Sequence, residues 1–101
     1  MIVRTWRGWT RTADAAEFER CLLRTGFAEY RAAPGNAGAY LTRRDQGDRV
    51  EFLLISLWES REAARAFGGD APDRAVFYPW ADRFLIARET TAAHYEIFAD
   101  V

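Results

Sequence analysis

The hydrophobic pattern along this chain is densest over residues 50–58, and there it is apolar on both alternations. Val50, Phe52, Leu54 and Trp58 fall on one side of an extended segment, and Leu53, Ile55 and Leu57 fall on the other. Successive side chains of a strand point to opposite faces, so this strand needs cover on both sides. Two modest helices in a small domain cover one face of a sheet. The simplest cover for the other is a second copy of the chain.

The flanking pattern supplies the remaining elements. Residues 2–9 are rich in β-branched and aromatic side chains and read as a strand, in which Gly8 marks a bulge or a close backbone approach. Ala15, Phe18, Cys21, Leu22 and Thr25 recur at helical spacing, with Glu17, Arg20 and Arg24 on a solvated opposite side. Thr12 or Asp14 is placed to cap this helix, and Asp14 with Glu17 has the form of a capping box. The helix weakens near Gly26, resumes through Tyr30 and stops at Pro34-Gly35-Asn36. Residues 37–44 form a strand joined by the turn 45–48 to the apolar strand, which makes an antiparallel hairpin. Ser60 caps a second helix that turns Ala63, Ala64 and Phe67 inward and ends at Gly68-Gly69. Residues 70–87, broken by Pro72 and Pro79 yet aromatic, read as short helical turns over the fold, and 90–98 as the last strand. The order β-α-β-β-α-β predicts a single α+β domain over 1–101 of the ferredoxin-like, split βαβ type. Its antiparallel sheet carries both helices on one face, and two such sheets facing each other make a dimeric α+β barrel.

Composition narrows the function classes. The 101 residues suit one domain with its own core. Fourteen basic and fifteen acidic residues leave a net charge of −1 with no basic block, so no electrostatic footprint for nucleic acid is present. Every basic residue is Arg, which removes lysine chemistry. Cys21 stands alone, and with a single His the chain offers no ordinary zinc site and no metal site is expected. No apolar run approaches the ~20 residues that span a bilayer, and the N-terminal residues pass straight into strand-like sequence, so a cytoplasmic protein is expected without membrane contact.

Candidate chemistry rests on few side chains. Trp6, Trp58, Tyr78 and Trp80 suit either an aromatic cavity or a core. His94 is the one side chain whose ordinary pKa suits a base near neutrality. It would deprotonate a phenol-like substrate, or face the barrel and bond an Arg or Glu. Arg4 and Arg7 sit on opposite faces of a central strand, and a buried Arg needs a partner. Glu51 and Glu96 are available for an ion pair; binding of an anionic substrate is the other use. Asn36 and Tyr40 suit either polar contacts at a pocket mouth or, for the Pro-Gly-Asn segment, a plain turn. No serine has a nucleophile-elbow context, and Gly68-Gly69 ends a helix instead of opening one, so phosphate is not cradled there.

Several segments carry a resemblance across essentially the whole chain. They are Arg4-Thr5-Trp6-Arg7-Gly8-Trp9-Thr10, Tyr30-Arg31-Ala32-Ala33-Pro34-Gly35-Asn36, Leu57-Trp58-Glu59-Ser60, Ala75-Val76-Phe77-Tyr78-Pro79, Asp82-Arg83-Phe84-Leu85 and His94-Tyr95-Glu96. With them the chain resembles the antibiotic biosynthesis monooxygenase family of dimeric α+β barrels. The resemblance implies a homodimer with an aromatic pocket in each subunit. It also implies oxygenation of a quinol- or anthrone-like metabolite without flavin, metal or other cofactor. Trp58 is the one residue it carries over, as a pocket residue; His94 as base, and Trp6, Tyr78, Trp80, Asn36 and Arg4 toward substrate, rest on the reading of the residues themselves. A haem-degrading branch uses a first-strand Asn and a helical His; here the first strand has no Asn and His94 falls in the last strand. A non-catalytic binding or accessory dimer, and a cyclase or isomerase with His94 as base, are the alternatives.

Overall fold

The computed structural model describes residues 1–68 and 79–101. Among these, five strands form one antiparallel sheet: β1 (Ile2–Arg11), β2 (Asn36–Asp45), β3 (Arg49–Trp58), β4 (Leu85–Arg88) and β5 (Ala93–Glu96). The order is β2-β3-β1-β4, with β5 also on β1. The β2–β3 hairpin turns at Gly47, whose φ of 79° is the left-handed region that favours glycine. β3 lies between β2 and β1.

One face of the sheet is covered. Helix α1 (Ala15–Cys21), a π-helical turn (Leu22–Gly26) and helix α2 (Phe27–Ala32) follow one another without a break, and α3 (Arg61–Phe67) lies nearer the other end of β3. Phe18 and Leu22 close over Val50, Phe52 and Leu54, with Phe18 meeting Phe52 edge-on at 4.8 Å between centroids. Burying a side chain such as Phe18 contributes about 1.5–3 kcal/mol. A second cluster joins Ile2, Trp58 and Ala64 with Tyr30 and Phe67 packed against it. Ser60 caps α3 by accepting from the Ala63 N–H.

Four expectations change. The capping box does not form: Asp14 accepts from Arg11, and the chain enters α1 through a 3₁₀ turn, Thr12–Asp14. Gly26 does not weaken the helix, because a wider π turn carries the chain through it. Of the segment 70–87, expected as helical turns, Pro79–Arg83 is a 3₁₀ turn, Leu85–Arg88 is strand instead, and residues 70–78 lie outside the described residues. The long final strand contracts to β5.

β4 and β5 are two parts of one interrupted edge. Gly8 pairs with Arg88 and Thr5 with Ala93, so residues 89–92 face only Trp6 and Arg7. The two extra residues form a bulge, pinned where Glu89 accepts from the Arg7 N–H and from the Trp6 indole N–H at 2.7 Å each. The bulge turns Ala92 inward.

Candidate functional site

A cavity lies between the covered face and the helices, lined by Arg4, Trp6, Phe18, Leu22, Gly26, Tyr30, Leu41, Leu54, Phe67, Trp80, Ala81, Leu85 and Ala92. Its wall is built from alternate residues of β1 to β3, the inward stripe of the helix, the 3₁₀ turn and the edge bulge. The Trp6 ring lies along β1 over Gly8, and a Cβ on Gly8 would sit inside contact distance of that ring. The enclosed space is about 40 Å³, room for a water or two and too little for an aromatic ring. Trp6, Tyr30, Leu41, Phe67, Trp80 and Leu85 are its half-buried lining side chains.

The cavity has one polar end. Arg4 is 4% exposed, yet it lines the space. Its Nη1 donates to Nε2 of His94 at 2.8 Å, across the register that sets Arg4 opposite His94 on β5. A guanidinium only donates, so in this contact Nε2 of His94 accepts. The Arg4 guanidinium also lies 5.7 Å from the Phe67 centroid, a cation–π contact, and Phe67 stacks on Tyr30 at 4.9 Å. Burial pushes the Tyr30 phenol up to about 12, against the lowering effect of the Arg4 charge and with a smaller push from Glu29. Tyr30 therefore stays protonated at neutral pH.

Of the residues singled out in the sequence, Arg4, Trp6 and Trp80 line this cavity, and His94 reaches it through Arg4. Trp58 does not line it: its indole is fully buried in the neighbouring cluster, donating to Ser56 Oγ at 2.8 Å. Asn36 opens β2 and closes a local turn with Gly38, away from the cavity lining. Tyr78 lies outside the described residues. Tyr40 is exposed and shares a face with Ile55. His94 is on the helix side, not the barrel side, because β5 pairs it with the inward-facing Arg4. Glu51 serves Arg7 and Arg44, not Arg4, and Glu96 pairs with Ile2. Tyr30, Phe67 and Ala92 were missed as lining residues. Spacing of four from Leu22 through Gly26 to Tyr30 was the available signal, and the π turn obscured it. Among the described residues, no group of three or more His, Cys, Asp or Glu side chains is placed to hold a metal ion, and no helix is long and apolar enough to cross a membrane.

The uncovered face carries Val3, Thr5, Arg7 and Trp9 of β1, Leu53, Ile55 and Leu57 of β3, and Tyr95 of β5. Among the described residues its buried charge is Glu51, which accepts from Arg44 and Gln46 and lies 3.7 Å from Arg7. The Arg44 hydrogen bond holds the Glu51 carboxyl below the usual carboxylate range; burial opposes it, and the charges of Arg44 and Arg7 add to the lowering.

The fold is a ferredoxin-like α+β one, an antiparallel sheet with its helices on one face, and the comparisons with known proteins agree. Residues 1–72 match the family model for antibiotic biosynthesis monooxygenase, and the chain belongs to that family. SnoaB, a cofactor-independent oxygenase from Streptomyces nogalater, superposes with a TM-score of 0.68 at 19% identity, covering 99% of this chain and 96% of its own. MhuD, a haem-degrader from Mycobacterium tuberculosis whose structure holds two haems in its active site, gives 0.66 at 20% identity, with 100% and 99% covered. At these identities the likeness establishes the fold. No curated protein matches the sequence.

Proposed function

We propose that the protein is a cofactor-independent monooxygenase for a small quinol- or anthrone-like aromatic, acting as a homodimer with one cavity per subunit. The single observation that carries this reading is an aromatic-walled cavity, otherwise apolar, whose polar end is a buried guanidinium beside a protonated phenol. Family membership supports a monooxygenase-type reaction. In the proposed chemistry the substrate supplies the electrons. Its ring CH₂ loses two hydrogens, one oxygen atom of O₂ becomes the carbonyl at that carbon, and the other leaves as water. Arg4 offers charge to the substrate oxygen, Tyr30 offers a hydroxyl donor, and Trp6 and Trp80 exclude water.

His94 is not the base of this scheme, since its Nε2 lone pair is taken by Arg4. The same bond weakens a haem-degrading reading, because the chain's single His is turned to Arg4 and not to an open ligand position. The homodimer reading is supported by the apolar strip of the uncovered face, where Tyr40 and Tyr95 are more than half exposed.

An oxygen electrode tests the proposal. Uptake of about one O₂ per substrate with an anthrone or quinol in chelator-treated buffer is expected, and Ala92→Phe, which fills the cavity from the edge bulge, should abolish it. No uptake across a broad panel of phenols, quinols and anthrones would instead favour a non-catalytic binding module.

A further inference from the structure

We propose that Trp6 sets the size of the ligand, holding the cavity to a single aromatic ring and shutting out fused three-ring systems. Gly8 and the backbone carbonyl of Glu89 position its indole. The proposal rests on reading this cavity as the ligand site. It goes further by choosing the quinol over the anthrone end of that reading and by naming the wall that makes the choice.

The indole is fixed at two opposite edges. At one edge its N–H donates to the Glu89 carbonyl at 2.7 Å. That carbonyl is on offer because β1 meets the edge bulge there instead of a regular ladder. Glu89 is itself tied to β1. Its N–H donates to the Arg7 carbonyl at 2.9 Å, and its carboxylate accepts from the Arg7 N–H at 2.7 Å. At the other edge the six-membered ring lies over Gly8, where a Cβ would run into it. β1 pairs with β3 along its whole length, with Trp6 opposite Leu54, so the backbone under the ring is held as well. A side chain bonded at one edge and seated on bare backbone at the other has little freedom to swing.

Volume then decides what fits. The enclosed space is about 40 Å³, whereas a dry apolar cavity of about 150 Å³ takes up one benzene ring. The site must therefore widen for any aromatic ligand, and the widening has to come from walls that are not locked. Leu41 and Leu85 are half-buried and aliphatic, with no polar side-chain atom to tie them. Movement of such walls makes room for one ring. Three fused rings need far more, and reach it only through the space that the Trp6 indole fills. Burial of apolar area by itself favours the larger ligand, so a preference for the smaller one has to be imposed by a fixed wall.

Equilibrium dialysis of the whole chain against phenol and 9-phenanthrol, one ring and three fused rings with the same hydroxyl, tests this. Wild type should hold phenol about tenfold or more tightly than 9-phenanthrol. Equal affinities, the opposite order, or no binding of phenol overturns the proposal. Trp6→Ala should reverse the order by admitting 9-phenanthrol, since a loss of stability alone would weaken both ligands together. A folded Trp6→Ala protein that keeps the wild-type order overturns the assignment. Should that variant fail to fold, Trp6→Phe, which is smaller and has no indole N–H, is read with the same two ligands. A narrowed preference supports the assignment and an unchanged one overturns it. Positioning is read separately, by hydrogen exchange of the indole N–H groups in NMR spectra, where the Trp6 resonance is the one missing from Trp6→Phe. It should exchange slowly in wild type and about tenfold or more faster in Gly8→Ala. Fast exchange in wild type, or no change in Gly8→Ala, refutes the positioning roles. None of these readouts involves oxygen. A size preference without O₂ uptake therefore removes the oxygenase reading only, and uptake without the size preference removes this inference only.

Discussion

The two faces of one sheet follow different rules in this molecule. On the helix side the alternate residues of β3 are Val50, Phe52, Leu54 and Trp58, all buried within the protomer. On the other side Leu53, Ile55 and Leu57 are only half-buried although they are equally apolar. The covered face closes by aromatic packing and contains a charge held by an imidazole. The bare face holds its charge by carboxylate pairing around Glu51. Equal hydrophobicity with unequal cover among the described residues is what the proposed second copy would answer.

The sharpest way to break this comparison uses two neighbours in the chain. Leu54→Arg places an unpaired charge in the core, at a cost of several kcal/mol, and should unfold the protein as read by circular dichroism. Ile55→Arg faces the proposed second copy, and should leave a folded protomer of half the wild-type mass by light scattering. If both unfold alike, or if wild type is a monodisperse monomer at micromolar concentration, the division between faces is wrong.

A smaller effect separates packing from association. Phe18→Ala should cost about 3–5 kcal/mol in urea unfolding at any protein concentration. Leu57→Ala should shift the midpoint chiefly where association contributes, so its effect should vary with concentration. Next comes acid. The Glu51 carboxyl titrates below its unfolded value, so its stabilisation is complete above the ordinary glutamate range of about 4.3 and is lost as pH falls through the lowered value. Glu51→Gln should therefore be destabilised at pH 8 and flatten the acid limb of the stability profile, converging on wild type as pH falls below the lowered value. The mildest change is Ser60→Ala, which removes the cap of α3 for about 1 kcal/mol, on neither face of the sheet.

Strand alternation made most of this fold legible. The hairpin, the Ser60 cap and the inward residues of α3 follow from local pattern, because each depends on side chains a few positions apart. The edge was not legible, since Leu85-Ile86-Ala87-Arg88 reads equally as helix or strand until β1 is beside it. The site was half legible. Trp6, Trp80 and Arg4 stood out by residue type, whereas the partner of Arg4 depends on a β1–β5 register across ninety residues that no local spacing encodes. Trp58 drew attention for the same reason as Trp6, but its place at the end of β3, opposite Ile2, sends it to the far cluster.

The π turn at Leu22–Gly26 has an angular consequence. In an uninterrupted α-helix Tyr30, eight residues after Leu22, would stand about 80° around the axis from it. One surplus residue in a turn takes back about 100°, which restores Tyr30 to the azimuth of Leu22. The phenol beside Phe67 is thus a matter of phase: the wide turn absorbs one residue, so a regular helix one residue shorter would bring Tyr30 to the same side, whereas straightening the turn at its present length would swing it about 80° away.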